Sequence, residues 1–194
     1  AATAAPGSGA GADFFPLSVF YVEKAYAAGR IPGGFFKREA RLSDSETLIS
    51  RIIDRPLRPS FHDNYLAETL IVATVLSHDL EFPSDVAAMI GASAALSVSD
   101  IPLLQPIGGI RVGMIDGEFI TNPNPEEITN SQMNIFMAGS RDAILMVEGE
   151  ANEVSESVML DALWYGHEQI QPIIDMQEEL VQRCGKAKRE VEAP

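Results

Sequence analysis

The chain has 194 residues, of which 46% are hydrophobic and 22% are charged, as expected for a globular domain with a substantial core. Its formal net charge of -14 argues at first against nucleic-acid binding, and its one cysteine, Cys184, excludes a disulfide within the chain. There is no zinc-type cysteine and histidine spacing and no apolar run long enough for a membrane span, so we expect a cytoplasmic protein without a signal peptide.

The first predicted element follows a stretch of small residues. Residues 1–12, AATAAPGSGAGA, predict a tail or a truncated edge without regular structure. Residues 13–27, DFFPLSVFYVEKAYA, alternate enough to predict a strand, with Pro16 near its start. Residues 29–41 contain three glycines and one proline without an apolar period, so we expect a loop there.

A helix is predicted to start at Ser43, because Ser43 and Glu46 have the spacing of a capping box. We expect Pro56 to end this helix. Arg58 follows between two prolines, which are expected to hold it in an extended conformation. Four apolar residues at helical spacing are expected to form the buried stripe: Leu48, Ile49, Ile52 and Ile53.

The middle of the chain predicts a strand, a helix and a hairpin. LAETLIVATVLSHD is rich in β-branched residues and predicts the strand. VAAMIGASAALSVS predicts a helix of small residues that we expect to be buried and capped by Ser84 or Asp85. GGIRVGMIDGEFIT predicts the hairpin, because Asp116-Gly117 is a strong turn signal.

The last third of the chain predicts two strands and a long helix. The strands are expected in QMNIFMAGS and AILMVEGEA, and the helix from Ser155 to Gly185 with a kink at Pro172. The polar residues after it are expected to fray. Together these elements predict an α+β domain with a mixed sheet and packing helices.

The positive charge is concentrated in one part of this acidic chain. Seven of the 14 basic residues lie between Arg30 and Arg58, with only four acidic residues, so this window carries about +3 and the rest about −17. Such a patch can form an anion site, because a cleft focuses the local potential whatever the total charge. The alternative is a set of surface ion pairs on a solvated face.

A glycine-led loop in this window places two aromatic residues beside two cations: Phe35, Phe36, Lys37 and Arg38. Bases stack on aromatic faces for roughly 1–3 kcal/mol each, whichever the base, and adjacent cations hold phosphates. This combination favours a site for single-stranded RNA. The alternative is that one or both aromatic rings pack into the core.

Three arginines follow the loop, and Arg51 and Arg55 are four residues apart, so they are expected on one flank of the helix. Arg58 lies just beyond. Because guanidinium groups bind phosphate oxygens in pairs, the three arginines predict a phosphate-facing row. The alternative is ion pairs with Asp54 or other acidic residues.

The remaining polar residues predict no reaction centre. Four glutamates between positions 148 and 156 predict a solvated face, and nothing in the spacing of the aspartates requires a catalytic pair. No catalytic residue and no metal ligand is therefore assigned to this chain. Three widely spaced histidines are expected to be structural: His62, His78 and His167.

Longer motifs resemble a known family. AYAAGRIPGGFFKREARLSDSETLISRIIDRPLRPSF closely resembles the bacterial polynucleotide phosphorylases. VAAMIGASAALSVSDIPLLQPIGGIRVG and the stretch Gly166-His167-Glu168-Gln169 continue the resemblance, which extends from about Asp13 to Lys186.

This resemblance implies a ribonuclease PH-like fold. Members of the family carry two such cores in one chain, separated by a helical segment and followed by RNA-binding modules, and they assemble as ring-shaped trimers. They degrade RNA from the 3′ end with inorganic phosphate as co-substrate, release nucleoside diphosphates, and need a divalent metal, usually Mg²⁺. We therefore expect single-stranded RNA, further copies of the chain and an RNA-degradation complex as partners.

The resemblance also implies that this chain is the first of the two cores. Residues 13–185 are expected to form that core, and residues 186–194 to begin the linker to the helical segment and the second core. Only residues 1–12 precede the core, so its N-terminal strands are expected to be missing. Because the family's catalytic aspartates, phosphate-binding serine loop and Mg²⁺ site belong to the second core, this chain alone is expected to be inactive.

Two sets of site residues follow from the resemblance. The channel loop that binds RNA corresponds to Phe35, Phe36, Lys37 and Arg38, with Arg41 beside it, and the anion contacts that face the active site correspond to Arg51, Arg55 and Arg58. Lys37 replaces an arginine often found there, which keeps the charge but weakens bidentate binding. Two alternatives remain: a stand-alone ribonuclease PH-type subunit of an exosome-like ring, and a non-catalytic RNA-binding ring module.

Overall fold

The computed structural model of the protein describes residues 1–5, 14–33 and 41–191. Within these residues, four α-helices and seven strands form the predicted α+β fold, with two sheets where the sequence predicted one mixed sheet. Short 3₁₀ turns occupy Ala25–Ala28 and Arg58–Ser60. In chain order the other elements are β1 Ala2–Ala4, β2 Leu17–Glu23, α1 Asp44–Leu57, β3 Thr69–Val75, α2 Asp85–Val98, β4 Gly108–Ile115, β5 Glu118–Thr121, α3 Pro125–Asn130, β6 Met133–Gly139, β7 Ile144–Ala151 and α4 Glu156–Cys184.

The first sheet is mixed and has the strand order β1-β3-β2. β2 runs parallel to β3, and α1 lies in the crossover connection that a parallel pair requires. β1 pairs antiparallel with β3, from Ala2 opposite Ile71 to Ala4 opposite Thr69. The expectation that residues 1–12 have no regular structure is therefore wrong for Ala2–Ala4. Their small side chains carry little strand signal, so pairing with β3 determines the conformation.

The second sheet is antiparallel and has the strand order β5-β4-β6-β7. β4 and β5 form the predicted hairpin, which turns through Asp116 with φ of 51° and Gly117 with φ of 82°. Both turn residues lie in the left-handed region, as a two-residue type I′ turn requires. The strands predicted in QMNIFMAGS and AILMVEGEA are β6 and β7, and they pair antiparallel.

Helix α1 starts as its capping box predicts. The Ser43 hydroxyl accepts a hydrogen bond from the Glu46 N–H, and the Glu46 carboxylate accepts one from the Ser43 N–H at 2.7 Å. The helix does not end at Pro56 but includes Leu57, because a proline in the last turn removes only one main-chain hydrogen bond. Arg58 is helical, with φ of −55°, rather than extended. Its guanidinium and its N–H both bond to Asp54 one turn earlier, which offsets the preference imposed by Pro59.

Helices α2 and α4 hold the two sheets together. α2 packs on β3 of the first sheet and β4 of the second, while α4 packs on β4 and β6. Many of the α2 side chains are buried, as predicted for this helix of small residues. At Gly166, α4 approaches β6 so closely that a Cβ atom would lie 2.1 Å from the Met137 sulfur. α4 continues through Pro172, and the kink expected there stays a prediction.

The start of α2 differs in detail from the expected cap. Ser84 occupies the N-cap position, but its hydroxyl forms a 2.6 Å hydrogen bond with the Tyr21 hydroxyl instead of capping the helix. Asp85 accepts a hydrogen bond from the Val86 N–H at 2.8 Å. The competing contact of Ser84 with β2 explains why its hydroxyl is not available to the helix.

The residues that follow α4 are irregular in conformation but tied to the core. Arg189 binds the Asp100 carboxylate at 2.8 Å. The expectation of a frayed tail is therefore wrong for residues 186–191. One cation in this segment binds carbonyl groups at the C-terminal end of α2. The Lys188 ammonium donates, at 2.8–2.9 Å, to three main-chain oxygens, those of Leu96, Ser97 and Ser99.

Candidate functional site

The outward face of α1 combines two arginines with an exposed leucine. Arg51 and Arg55 are exposed, as their predicted position on one flank requires. Leu48 was expected to be buried but is 57% exposed, and it lies three residues before Arg51 on the same face. The inward face is formed by the buried residues Ser50, Ile53, Pro56 and Leu57, with Ile49 and Ile52 half-buried beside them.

Ser50 takes the buried position because its hydroxyl bonds to the edge of β2. The Tyr21 N–H donates to the Ser50 oxygen at 2.9 Å, and the Glu23 N–H donates to the Glu46 carboxylate at 2.8 Å. These side chains of α1 therefore occupy main-chain donors on the edge of β2 that faces away from β3. An edge covered in this way is not available for pairing with another strand.

Arg58 supports the same strand from the end of α1. Its guanidinium donates to the main-chain oxygens of Phe15 at 2.9 Å and Leu17 at 3.2 Å. It also binds Asp54 through two nitrogens and lies 5.9 Å from the centre of the Phe15 ring. The ion pair with Asp54 is one of the two alternatives that the sequence left open. Arg58 is thus largely committed to contacts within the fold.

Arg51 and Arg55 differ from Arg58 because they have few contacts or none. The Arg51 side chain forms no hydrogen bond and no ion pair within the described part of the chain. Arg55 forms an ion pair with Glu148 on β7, and the two side chains are 54% and 49% exposed. Solvent-exposed ion pairs contribute little to stability, so this guanidinium can exchange partners at low cost. The face of α1 therefore presents one free and one exchangeable arginine.

The predicted aromatic loop cannot be compared with this face. Phe35, Phe36, Lys37 and Arg38 lie outside the described residues. Arg41, the last residue assigned to the loop site, is described and exposed, two residues before the Ser43 cap of α1. The structure therefore brings Arg41, Arg51 and Arg55 to one helix and its start.

Two family models match the parts of the chain that contain this site. A family model described as the 3′ exoribonuclease family, domain 1, matches residues 1–102, and the domain 2 model of that family matches residues 105–169. The chain belongs to the 3′ exoribonuclease family. The boundary between the two matches lies between α2 and β4, so the first match contains the mixed sheet and the second contains the antiparallel sheet.

The family assignment agrees with individual relatives. The chain is 57% identical over 184 residues to a polyribonucleotide nucleotidyltransferase of Geotalea uraniireducens, covering 95% of this chain and 26% of that protein. It is 54% identical over 182 residues to the protein of the same name from Rhodospirillum rubrum. This match covers 94% of this chain and 26% of that protein. The resemblance drawn from the motifs is confirmed. The chain spans about a quarter of the length of these curated relatives.

A solved structure confirms the fold of the family. The crystal structure of rice Rrp46 superposes with a TM-score of 0.69 and covers 92% of this chain and 80% of its own. The sequence identity is 17%, so this match carries the fold alone. It supports the predicted ribonuclease PH-like architecture.

The described residues of this family member contain no group of three or more acidic, histidine or cysteine side chains that could hold a metal ion, and no helix among them is long and apolar enough to cross a membrane. The Tyr21 hydroxyl lies 2.7 Å from the Glu23 carboxylate and 2.6 Å from the Ser84 hydroxyl. Burial raises the pKa of Tyr21, so this phenol stays protonated and acts as a structural donor.

Two of the three histidines form local hydrogen bonds with their side chains, and the structural role expected of all three stays a prediction. His167 on α4 places its Nε2 atom 3.1 Å from the main-chain oxygen of Ser140, next to the end of β6. The His78 Nδ1 atom accepts a hydrogen bond from the Leu80 N–H at 2.7 Å. His62 is exposed.

Sequence reasoning missed the site residues that are not basic. Glu148 was assigned to a solvated face, and the other glutamates between positions 148 and 156 are indeed exposed, but Glu148 also binds Arg55. Ser50 and Glu46 cover the β2 edge, although only the capping role of Glu46 was predicted. A polar serine inside an apolar helical stripe was the one local signal for the Ser50 contact.

Proposed function

We propose that this chain is the first ribonuclease PH-like core of a phosphate-dependent 3′-to-5′ exoribonuclease, which degrades RNA to nucleoside diphosphates, and that α1 guides the RNA strand. Relatives named polyribonucleotide nucleotidyltransferase, more than half identical over nearly the whole chain, support the activity of the complete protein. The observation that carries the role of α1 is its outward face, where the Arg51 side chain has no partner among the described residues and Arg55 has only an exchangeable one.

The chemistry of this face suits a phosphodiester backbone. A guanidinium presents a planar set of donors that binds two phosphate oxygens at once. Arg51 and Arg55 lie one helical turn apart, about 5–6 Å, so they can contact neighbouring groups of one strand. Leu48 extends the same face with apolar surface against which a ribose or base can pack. These contacts bind RNA without reading its sequence.

The aromatic loop completes the proposed path for the RNA. Phe35 and Phe36 would stack on bases, and Lys37 and Arg38 would hold phosphates, with Arg41 at the start of α1 continuing the positive charge. The remaining surface is acidic, with a formal charge of -14 for the whole chain, and would repel RNA elsewhere. In this proposal the chain contributes RNA contacts and a surface for a homotrimer, within an RNA-degradation complex of the cytoplasm.

The metal and the phosphate pocket are proposed to lie outside this chain. The described residues do not provide a set of ligands that fits Mg²⁺, so no residue here is assigned to it. Inorganic phosphate as co-substrate would likewise be bound by the second core of the complete protein. The residues of this chain bind and orient the strand and leave the displacement to that core.

The first experiment measures whether this chain carries the reaction alone. The 194-residue chain and the complete protein are incubated with poly(A), phosphate and Mg²⁺, and released ADP is assayed. We expect ADP from the complete protein only. Release by the isolated chain would instead favour a stand-alone ribonuclease PH-type subunit, and RNA binding without release by either protein would favour a non-catalytic ring module.

The second experiment tests α1 directly, in the complete protein. Arg51→Gln removes the free cation, and Arg183→Gln removes an exposed arginine of α4 that pairs with Glu179 and serves as the matched control. We expect Arg51→Gln alone to weaken binding of a labelled oligoadenylate and to lower the slope of log K against log salt by about 0.7. Equal affinities for the two variants would contradict the role of α1.

A further inference from the structure

Glu148 joins the antiparallel sheet to α1 at the proposed RNA path. It lies on β7, and its carboxylate accepts a hydrogen bond from the Nη1 atom of Arg55 on α1. The two residues are 93 positions apart in the chain, so the fold and not local sequence creates the pair. Both side chains remain about half exposed, so solvent and ligands reach the pair from outside.

We propose that Glu148 competes with RNA phosphate for Arg55 and thereby sets how tightly the α1 face holds the RNA strand; this inference rests on the proposed function of α1. A carboxylate and a phosphodiester present the same kind of acceptor to a guanidinium, so they compete for the Nη1 group of Arg55 that Glu148 occupies. A phosphate that binds Arg55 through this group has to displace Glu148. When the strand advances or leaves, Glu148 takes the place of the phosphate.

The exposure of the pair makes this exchange feasible. A buried arginine deprived of its carboxylate would be left as an unpaired charge, which is costly. Arg55 is 54% exposed, so water solvates it whenever neither partner is bound. Arg51, one turn earlier, has no such competitor among the described residues, so it contacts RNA without a displacement step.

The same strand supplies a matched control. Glu150 lies two residues beyond Glu148, on the same face of β7, and is exposed. Its side chain forms no hydrogen bond and no ion pair with any residue that the structure describes. Replacing Glu150 by glutamine therefore removes the same charge from the same strand without releasing Arg55.

The test compares four variants of the complete protein: Glu148→Gln, Glu150→Gln, Arg55→Gln and the double variant Glu148→Gln/Arg55→Gln. Binding of a fluorescein-labelled oligoadenylate is followed by anisotropy over a series of salt concentrations, with phosphate and Mg²⁺ omitted to prevent turnover. Thermal unfolding of each variant checks that the fold is retained, which we expect because glutamine has nearly the shape of glutamate.

We expect Glu148→Gln to tighten binding by about two- to five-fold, the range that an exposed pair supports. The slope of log K against log salt should steepen by up to about 0.7, because the phosphate contact of Arg55, which Glu148 prevents for part of the time in the unmodified protein, can then form fully. Glu150→Gln removes one negative charge without releasing Arg55. It should therefore tighten RNA binding less than Glu148→Gln does, through long-range electrostatics alone. In the presence of Arg55→Gln, the additional effect of Glu148→Gln should disappear.

Two results would overturn the proposal in distinguishable ways. If Arg51→Gln and Arg55→Gln weaken binding but Glu148→Gln equals Glu150→Gln, then α1 binds RNA as proposed and Glu148 is not a competitor. If neither arginine variant weakens binding, the RNA path along α1 is wrong and the role of Glu148 falls with it. A gain from Glu148→Gln that persists without Arg55 would also overturn the competition, since the effect would then be general electrostatics.

Discussion

Two arginine–carboxylate pairs link the segment that matches the first family model to the segment that matches the second. Arg111 on β4 pairs with Asp85 at the start of α2, and Arg55 on α1 pairs with Glu148 on β7. The side chains of the first pair are 19% and 2% exposed, whereas those of the second are 54% and 49% exposed. The chemical groups are the same, so the difference in burial separates their roles.

The surroundings of the two pairs differ as much as their burial. Arg111 also donates to the Asn134 side-chain oxygen at 2.7 Å and lies 5.7 Å from the centre of the Phe136 ring. Arg55 has Glu148 as its one partner in the described structure. A buried pair with further hydrogen bonds fixes a geometry, while an exposed pair with none can exchange its partner. We therefore expect mutations at the first pair to change stability and mutations at the second to change binding.

Removal of Asp85 should give the largest effect. Asp85→Ala leaves the buried Arg111 guanidinium without its carboxylate, and breaking a buried pair from one side costs about 3–5 kcal/mol. The free energy of unfolding in urea measures this loss. Glu148→Ala is the control, and its loss should stay within about 1 kcal/mol. If both variants lose stability equally, burial does not distinguish the pairs.

Arg58 provides an intermediate case, with its side chain 41% exposed and that of Asp54 28% exposed. Arg58→Lys keeps the charge but cannot bind Asp54 and the two main-chain oxygens of Phe15 and Leu17 together. We expect a loss of about 1–3 kcal/mol in the free energy of unfolding, because acceptors near the core lose their donor. RNA binding by the folded variant should change less than it does in Arg51→Gln. If Arg58→Lys leaves the free energy of unfolding unchanged but abolishes RNA binding, then Arg58 contacts RNA and is not mainly a structural residue.

Lys188 tests whether a cation can stabilise the fold by binding main-chain carbonyl groups. Its ammonium donates to three carbonyl oxygens at the C-terminal end of α2, where the helix dipole is negative. Lys188→Met keeps much of the aliphatic side chain but removes these hydrogen bonds, and we expect a loss of about 1 kcal/mol. Lys186→Met, two residues earlier in the chain, is the control in the same urea measurement. Equal values for the two would mean that Lys188 does not cap α2.

The sequence predicted those parts of the fold that depend on neighbouring residues. The capping box at Ser43 and the turn at Asp116-Gly117 each involve residues within four positions, so their patterns are complete in the local sequence. β1 could not be predicted in this way, because Ala2–Ala4 carry little strand preference and acquire their conformation from β3. The pairing of strands that are distant in the chain depends on the topology of the whole fold, which a short stretch of sequence does not specify.

In the candidate site, too, the sequence predicted what local residues determine and missed what distant contacts determine. Charge density and family motifs found Arg51, Arg55 and Arg58, but they could not distinguish the inward arginine from the outward ones. Arg58 turns inward because main-chain oxygens 43 and 41 positions earlier lie within its reach. Glu148 lacked any local signal for its role, since its partner is 93 positions away. The contribution of the loop from Phe35 to Arg38 stays a prediction.

Glu46 gives the smallest expected effect, from a carboxylate that is held by main-chain donors and not by an arginine. Partial burial alone would raise its pKa, but hydrogen bonds from the N–H groups of Ser43 and Glu23 outweigh it and hold the pKa below the usual value of 4.5. A lowered folded-state pKa stabilises the fold above the unfolded-state pKa, and this contribution is lost as the pH falls through the folded-state value. Urea unfolding of Glu46→Gln and the unmodified protein, from about pH 7 to about pH 3, should therefore show a difference of about 0.3–1 kcal/mol that shrinks below pH 4.5. A difference that stays constant through this window would mean that the charge of Glu46 contributes nothing and that its hydrogen bonds alone matter.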